Sequence, residues 1–200
     1  MSYDDAFEVR LHGRGGQGVV TAAELLSEAA FEEGRHAQAF PSFGSERTGA
    51  PVVAFCRIAD HEIRTREPVT RPHALVVQDA TLLHQVDVFA GLRPAGWVLI
   101  NSRRTPGQLG IDGLDAGHVL TIPASAMALE HVGKPLPNAA LLGGLAALTG
   151  IVHLDAVLGA IEAKFAPQVA AGNVAAARAA YDVVAREVRA GAAHHDGREA

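Results

Sequence analysis

The chain has 200 residues, of which 48% are hydrophobic and 20% are charged. This composition is typical of a globular protein and argues against a disordered chain, and the length suits one well-buried domain. The formal net charge of -5 argues against a nucleic-acid-binding protein, which requires a basic face. Cys56 is the single cysteine, so the chain alone cannot hold an iron–sulfur cluster, a cysteine-based zinc site or an internal disulfide.

Apolar runs and helical spacing alternate along the chain. The predicted strands are 7–12, 36–40, 52–58, 74–77, 97–100 and 119–122, with a short return strand at 62–64 that would form a hairpin with 52–58. The predicted helices are 19–34, 81–90, one opening at Pro123, 138–149, 154–165 and 173–189. Asn138 is expected to cap its helix, and Pro167 to stop the preceding one.

This alternation predicts the α/β class, with a mostly parallel, doubly wound, Rossmann-like sheet of five to seven strands, flanking helices and a helical C-terminal part. We expect a single domain over residues 1–190 and a flexible tail over 191–200, where nothing is available to bury. The apolar segment 139–152 is shorter than the about 20 residues that cross a bilayer, so we expect a buried helix and no membrane partner. No export signal follows Met1, which indicates the cytoplasm.

Six residues between the first strand and the first helix form what we name the glycine loop: Gly13, Arg14, Gly15, Gly16, Gln17 and Gly18. Their G-x-G-x-x-G pattern in this context is typical of NAD or FAD sites, but the second strand ends in Phe40-Pro41 and lacks the acid that binds ribose. A P-loop is excluded because no Lys follows. A tight turn, a phosphate-bearing ligand and a partner backbone all stay open.

The stretch 40–51 has two prolines, two glycines and no helical or strand period, which predicts a long loop, and we name its segment 42–49 the second loop. Its candidate site residues are Ser42, Phe43, Gly44, Glu46, Arg47 and Gly49. Either it is an ordinary surface loop, or it is an arm that reaches the active site of another subunit, since long loops in compact domains are often functional.

Other candidates are weaker. Cys56 lies in an apolar strand and is expected to be a buried structural thiol. The histidines show no paired metal-ligand spacing, and no G-x-S-x-G nucleophile motif occurs, so we expect no metal site and no catalytic residue on this chain. Asp79 follows a strand and is either an acid/base residue or a helix N-cap.

The glycine loop with 19–21, the segment 40–52, and Pro137-Asn138-Ala139-Ala140-Leu141-Leu142-Gly143 occur in this order. Together they resemble the gamma subunit of the 2-oxoacid:ferredoxin oxidoreductases over about residues 7–185. The ending Ala50-Pro51 is similar to the pyruvate-type gamma chains. Thr48 stands where arginine is common, which keeps an aryl 2-oxoacid such as phenylglyoxylate, with NAD as the final acceptor, as an alternative.

The resemblance implies a non-catalytic subunit of an enzyme that converts a 2-oxoacid and coenzyme A into acyl-CoA and CO2. It also implies alpha, beta and delta partner subunits, with thiamine diphosphate, Mg and iron–sulfur clusters on those chains and ferredoxin or an equivalent acceptor. The glycine loop would then hold coenzyme A or a partner chain, and the second loop would help to close the active site. A stand-alone dinucleotide-dependent oxidoreductase and a nucleotide-sensing module are the competing hypotheses.

Overall fold

The computed structural model describes residues 6–42, 48–114 and 117–196, with the backbone alone for 192–196. Its centre is a six-stranded sheet in the order β2-β3-β1-β4-β5-β6. The strands are β1 (Phe7–Arg14), β2 (His36–Pro41), β3 (Pro51–Ala59), β4 (Ala74–Val77), β5 (Trp97–Asn101) and β6 (Val119–Ile122).

The sheet is mostly parallel. β1, β4, β5 and β6 pair in parallel, whereas β3 lies between β1 and β2 and is antiparallel to both. The α/β class, the mostly parallel sheet and the predicted strand count are confirmed. The hairpin with 62–64 is wrong: those residues form no strand, because β1 and β2 already occupy both edges of β3.

Five helices accompany the sheet. They are α1 (Val19–Glu32), α2 (Ala124–Val132), α3 (Asn138–Thr149), α4 (Leu154–Lys164) and α5 (Pro167–Asp196). α4 ends at Lys164, ahead of Pro167 as expected, and Pro167 also opens α5, since a first-turn residue needs no N–H donor. α5 therefore begins earlier than predicted and includes residues 191–196 of the expected tail, while 197–200 lie outside the described residues.

The predicted helix 81–90 is wrong in most of its length. A short 3-10 turn, Ala80–His84, is followed by irregular chain. Arg10 donates hydrogen bonds from Nη2 to the carbonyl oxygens of Val88 and Ala90, at 2.9 and 2.7 Å. Arg10 thus holds the carbonyls of this irregular segment against β1.

The apolar core lies between the helices and one face of the sheet. Ten of the twelve residues of α3 are buried, so the helix is apolar on all sides as a central element must be. Gly143 lets α3 approach α5, because a Cβ there would collide with the carbonyl of Ala177. This confirms the expected buried helix. No helix in the described part of the chain is both long enough and apolar enough to cross a membrane.

The opposite face of the sheet is covered by 3-10 turns and loops and not by α-helices. Leu75, Val77, Val98 and Ile100 pack there in a second apolar cluster with Leu82 of the 3-10 turn. Over β1 and β3 the same face is polar and carries the ion pair between Arg57 Nε and Glu8 Oε1 at 2.8 Å. All four parallel strands end at the same edge of the sheet, its carboxyl edge. In open α/β sheets a ligand site is expected at that edge.

Candidate functional site

The glycine loop joins β1 to α1, as the sequence predicted, but β1 is two residues longer than expected and includes Gly13 and Arg14, so only Gly15 to Gly18 lie between the strand and the helix. Gly16 and Gly18 have φ of 92° and 73°, a region that residues with a Cβ rarely adopt. Gly18 is also the N-cap of α1. The loop thus reverses the chain and presents the N–H groups of the first helical turn at the carboxyl edge of the sheet.

Two of the loop's glycines are also required by packing. A Cβ at Gly13 would lie 2.5 Å from Val19 Cγ2, and one at Gly18 would lie 2.8 Å from Asn138 Nδ2. Both distances are too short for real atoms, so a larger residue at either position would force the side chain of Val19 or Asn138 to shift. Close helix–sheet packing is therefore one function of these glycines, whatever they bind.

The two candidate loops meet. Gly15 N donates to Ala50 O at 2.9 Å, and Gly49 N donates to Gly15 O at 3.1 Å. At the other end of the second loop, Ser42 N donates to Val53 O at 2.8 Å. One described end of the second loop is thus attached to β3, and the other is attached to the glycine loop.

Only part of the second loop can be placed. Ser42 and Gly49 are described, and Gly49 has a φ of 82° that favours glycine. Four of its predicted site residues lie outside the described residues: Phe43, Gly44, Glu46 and Arg47.

Arg14 connects these segments to a third one. Its Nε forms an ion pair with Asp79 Oδ2 at 2.9 Å, and its Nη1 donates to Gly49 O at 3.1 Å. Its Nη2 donates to Thr81 Oγ1 at 2.7 Å and to Gln85 Oε1 at 2.9 Å. The guanidinium is therefore engaged by the chain's own groups and is not a free cation for a ligand.

Asp79 is the N-cap of the 3-10 turn, accepting a hydrogen bond from Thr81 N at 3.0 Å. Burial alone raises the pKa of Asp79, but hydrogen bonds from Thr81 and Gln17 and the charge of Arg14 outweigh this effect and lower the pKa. A carboxylate held ionised in this way accepts hydrogen bonds and is a poor proton donor. The capping interpretation of Asp79 is confirmed.

A layer of amides at the ends of the strands was missed by the sequence analysis. Asn101 Nδ2 donates to Gln78 O at 2.9 Å and to Ser125 Oγ at 2.8 Å. Gln78 is 1% exposed, and its side-chain N and O have no hydrogen-bond partner within the described residues. Asn138, expected as a cap, is instead the first residue of α3 and is buried beside Gly18. In the sequence, Gln78 and Asn101 each directly follow an apolar run, and this pattern could have predicted polar groups at the strand ends.

A cleft of about 340 Å³ opens at the glycine loop. Its lining consists of Arg14, Gly15, Gly16, Gly18, Val19, Val20, Thr21 and Val52. The arrangement does not suit a dinucleotide, because β3 separates β2 from β1 and so removes the end of β2 from the position that reads a ribose in Rossmann sites. Phosphate groups remain compatible with the first-turn N–H groups of α1.

Two expectations from the sequence concern the cysteine and a metal ion. Cys56 is 0% exposed within β3, and burial raises the pKa of its thiol, which confirms the predicted structural thiol. Within residues 6–42, 48–114 and 117–196, no group of three or more His, Cys, Asp or Glu side chains is arranged for a metal ion.

Comparison with known proteins identifies the family. Residues 8–183 match the family model described as pyruvate ferredoxin/flavodoxin oxidoreductase. The chain belongs to this family. A pyruvate synthase subunit PorC from Methanothermobacter marburgensis is 46% identical over 175 residues, covering 88% of this chain and 96% of the relative. The pyruvate/ketoisovalerate oxidoreductases common subunit gamma of Thermococcus litoralis is 45% identical over 177 residues, 88% of this chain and 95% of that one.

A solved structure supports the same family membership as these two relatives. The crystal structure of the pyruvate oxidoreductase subunit PORC from Thermotoga maritima superposes with a TM-score of 0.76 at 38% identity, covering 90% of this chain and 97% of that one. The chain is accordingly a gamma-type subunit of a 2-oxoacid ferredoxin oxidoreductase, a component of an enzyme, as the resemblance implied. A multi-subunit assembly follows from this membership.

Proposed function

We propose that this subunit serves a cytoplasmic thiamine-diphosphate-dependent assembly that oxidatively decarboxylates pyruvate with coenzyme A to acetyl-CoA and CO2. The electrons pass to ferredoxin or an equivalent acceptor through alpha, beta and delta-type partner subunits. The observation that carries the proposal is the junction of the glycine loop with the second loop beside the cleft, through Gly15, Gly49 and Ala50. The names of the relatives support pyruvate as the 2-oxoacid.

The electron-transferring and carbanion-stabilising groups belong to the other chains. Cys56 is buried in mid-strand and cannot ligate an iron–sulfur cluster. The described residues of the cleft include no carboxylate for the Mg of thiamine diphosphate. This chain therefore contributes positioning and enclosure, and the chemistry is that of cofactors held elsewhere.

The cleft suits the anionic part of coenzyme A. Arg14 is its one charged residue among those described, and that residue is already paired with Asp79. The attraction for a phosphate must then come from the backbone N–H groups of the glycine loop and of the first turn of α1. A partner backbone at the same N–H groups is the alternative occupant.

The second loop, from Ser42 to Gly49, is proposed to close over the thiamine site of a partner. The proposal is supported by the positions of its two described ends, since Ser42 N donates to Val53 O of β3 and Gly49 N donates to Gly15 O beside the cleft. The substitution Arg47→Ala in the assembly is expected to raise KM for coenzyme A or to lower kcat. Unchanged values in an intact assembly would exclude that role for Arg47.

Purification of the native assembly from its host tests the whole proposal. We expect thiamine- and cluster-bearing chains to accompany this subunit, with coenzyme-A-dependent turnover of pyruvate. Turnover of phenylglyoxylate in place of pyruvate would identify the aryl 2-oxoacid alternative. Recovery of the chain alone, with NAD bound, would overturn the proposal in favour of a stand-alone oxidoreductase.

A further inference from the structure

Arg14 lies at the meeting point of three segments that are far apart in sequence. On one side its Nη1 holds the carbonyl of Gly49 at 3.1 Å. On the other side its Nε and Nη2 hold Asp79, Thr81 and Gln85 at distances of 2.9, 2.7 and 2.9 Å. Since Arg14 is itself the last residue of β1, its side chain joins the second loop to the turn after β4 across the sheet's carboxyl edge.

The attachment of Gly49 matters because the ladder between β1 and β3 ends at this point. Arg14 is paired in register with Pro51, which has no N–H to donate. Beyond that pair, the end of the second loop is held by two backbone hydrogen bonds with Gly15 and by the Arg14 guanidinium. Loss of the guanidinium would remove one of three hydrogen bonds that position this end.

Asp79 orients Arg14 and the glycine loop together. Its Oδ2 accepts from Arg14 Nε at 2.9 Å and from Gln17 Nε2 at 3.1 Å, while Gln17 Oε1 accepts from Arg14 N at 2.8 Å. Arg14, Gln17 and Asp79 thus form a closed ring of hydrogen bonds at the base of the glycine loop. The Asp79 carboxylate therefore bonds both to Arg14, the last residue of β1, and to Gln17, within the glycine loop.

We propose that Arg14, oriented by Asp79, is a positioning residue that holds Gly49, at the end of the second loop, beside the glycine-loop cleft, so that Gly49 and the cleft keep one relative arrangement. It acts through Gly49 and the turn after β4 and does not itself bind the anionic ligand. Arginine is required because its planar fork reaches partners on several sides, which a lysine ammonium on a flexible stem cannot do. The inference rests on the proposed function for its effect on coenzyme A, but the coupling itself is a property of this chain.

The test uses the purified assembly with the substitutions Arg14→Lys and Asp79→Asn in this subunit. Hydrogen–deuterium exchange of the peptide covering residues 48–53 is expected to accelerate about tenfold in both variants, because each loses charge-assisted hydrogen bonds. KM for coenzyme A is expected to rise about tenfold, with a smaller change in kcat, because the ligand must then restore the arrangement of the loops.

Arg35→Gln is the matched control. Arg35 Nε pairs with Asp60 Oδ1 at 3.0 Å and its Nη1 donates to Ile151 O at 3.0 Å, so this change also removes a partly exposed arginine with a carboxylate and a carbonyl partner. It is expected to leave both the exchange of residues 48–53 and KM unchanged.

Unaltered exchange of residues 48–53 in Arg14→Lys would overturn the coupling, as would an equal acceleration in the Arg35→Gln control. A change in kcat alone, with KM for coenzyme A at the wild-type value, would also overturn it. If instead the wild-type assembly does not turn over a 2-oxoacid with coenzyme A, the proposed function fails, and the exchange comparison still decides whether Arg14 couples the two loops.

Discussion

Arg10 and Arg14 lie four residues apart on β1, project from the same face of the sheet, and hold different kinds of partner. Arg10 is 8% exposed and donates to the backbone carbonyls of Val69, Val88 and Ala90 and to His12. The Arg14 side chain is 21% exposed and donates mostly to other side chains. Carbonyl partners are held in place by the fold, whereas side-chain partners can rearrange. The comparison separates a stabilising arginine from one that positions a site.

The substitution Arg10→Ala should have the largest effect on stability. It leaves the carbonyls of the buried residues Val69 and Val88 without the Arg10 donor. Each orphaned buried group costs about 1–3 kcal/mol, so we expect a loss of about 3 kcal/mol. Urea denaturation of the purified chain measures it. If Arg10→Ala lost less free energy of unfolding than Arg14→Lys, Arg10 would not be the stabilising arginine of the two.

The pH dependence of stability should show the burial of His12, which is 5% exposed. Burial, with the charge of Arg10, lowers its pKa from 6.5 to about 4. The unfolded chain therefore binds more protons between these values, so the stability contributed by neutral His12 is complete above pH 6.5 and is lost as pH falls toward 4.

The expected loss over that window is about 3 kcal/mol at most, since each pKa unit corresponds to about 1.4 kcal/mol. Urea denaturation at pH 7.5, 5.5 and 4.5 should show a smaller decline in His12→Gln than in the wild type. Parallel pH profiles for the two proteins would mean that the pKa of His12 is the same in the folded and the unfolded chain.

Gly18→Ala is expected to destabilise the chain by about 2–3 kcal/mol, from the positive φ and from the contact with Asn138 together. Gly110→Ala is its control, because Gly110 has a nearly equal φ of 71° but open space around a Cβ. That control should lose only about 1–2 kcal/mol. Equal losses in thermal or urea denaturation would show that packing against Asn138 contributes nothing.

Arg14→Lys should have the smallest effect on stability, about 1 kcal/mol or less, because its ion pair with Asp79 is partly exposed and its partners can bond to water. The measurement is the same urea denaturation at pH 7.5. A loss equal to that of Arg10→Ala would place both arginines among the stabilising residues and remove the distinction between them.

Much of the fold was predictable because it depends on local patterns. The strands from β1 to β6, the helix after the glycine loop, and the buried helix α3 all follow from apolar periodicity and from glycines at helix ends. The failures have tertiary causes. Residues 62–64 form no strand because β3 already has two partners, and residues 85–90, predicted as helix, form irregular chain whose carbonyls at Val88 and Ala90 accept from Arg10 of β1.

The candidate site was predictable only in part. The glycine loop was found because it lies between a predicted strand and a predicted helix. The family of the chain was found from three motifs that occur in order along the sequence, and the comparisons confirm it. The amide layer around Gln78 and Asn101 was not found, since its members are distant in sequence and meet only at the ends of neighbouring strands. The roles of Arg47 and the rest of the second loop stay predictions.

By itself, the sequence determined that this is a mostly parallel α/β chain without cluster ligands, with glycines between its first strand and helix. Local sterics and hydrophobic periodicity depend on residues that are neighbours in the sequence. The α/β class and the glycine turn could therefore be inferred from the sequence. Only the tertiary structure decided that β3 separates β1 from β2, that the two loops join through Gly15 and Gly49, and that Arg14 is bound to Asp79. Those facts depend on which distant segments become neighbours, and strand order has no local signature.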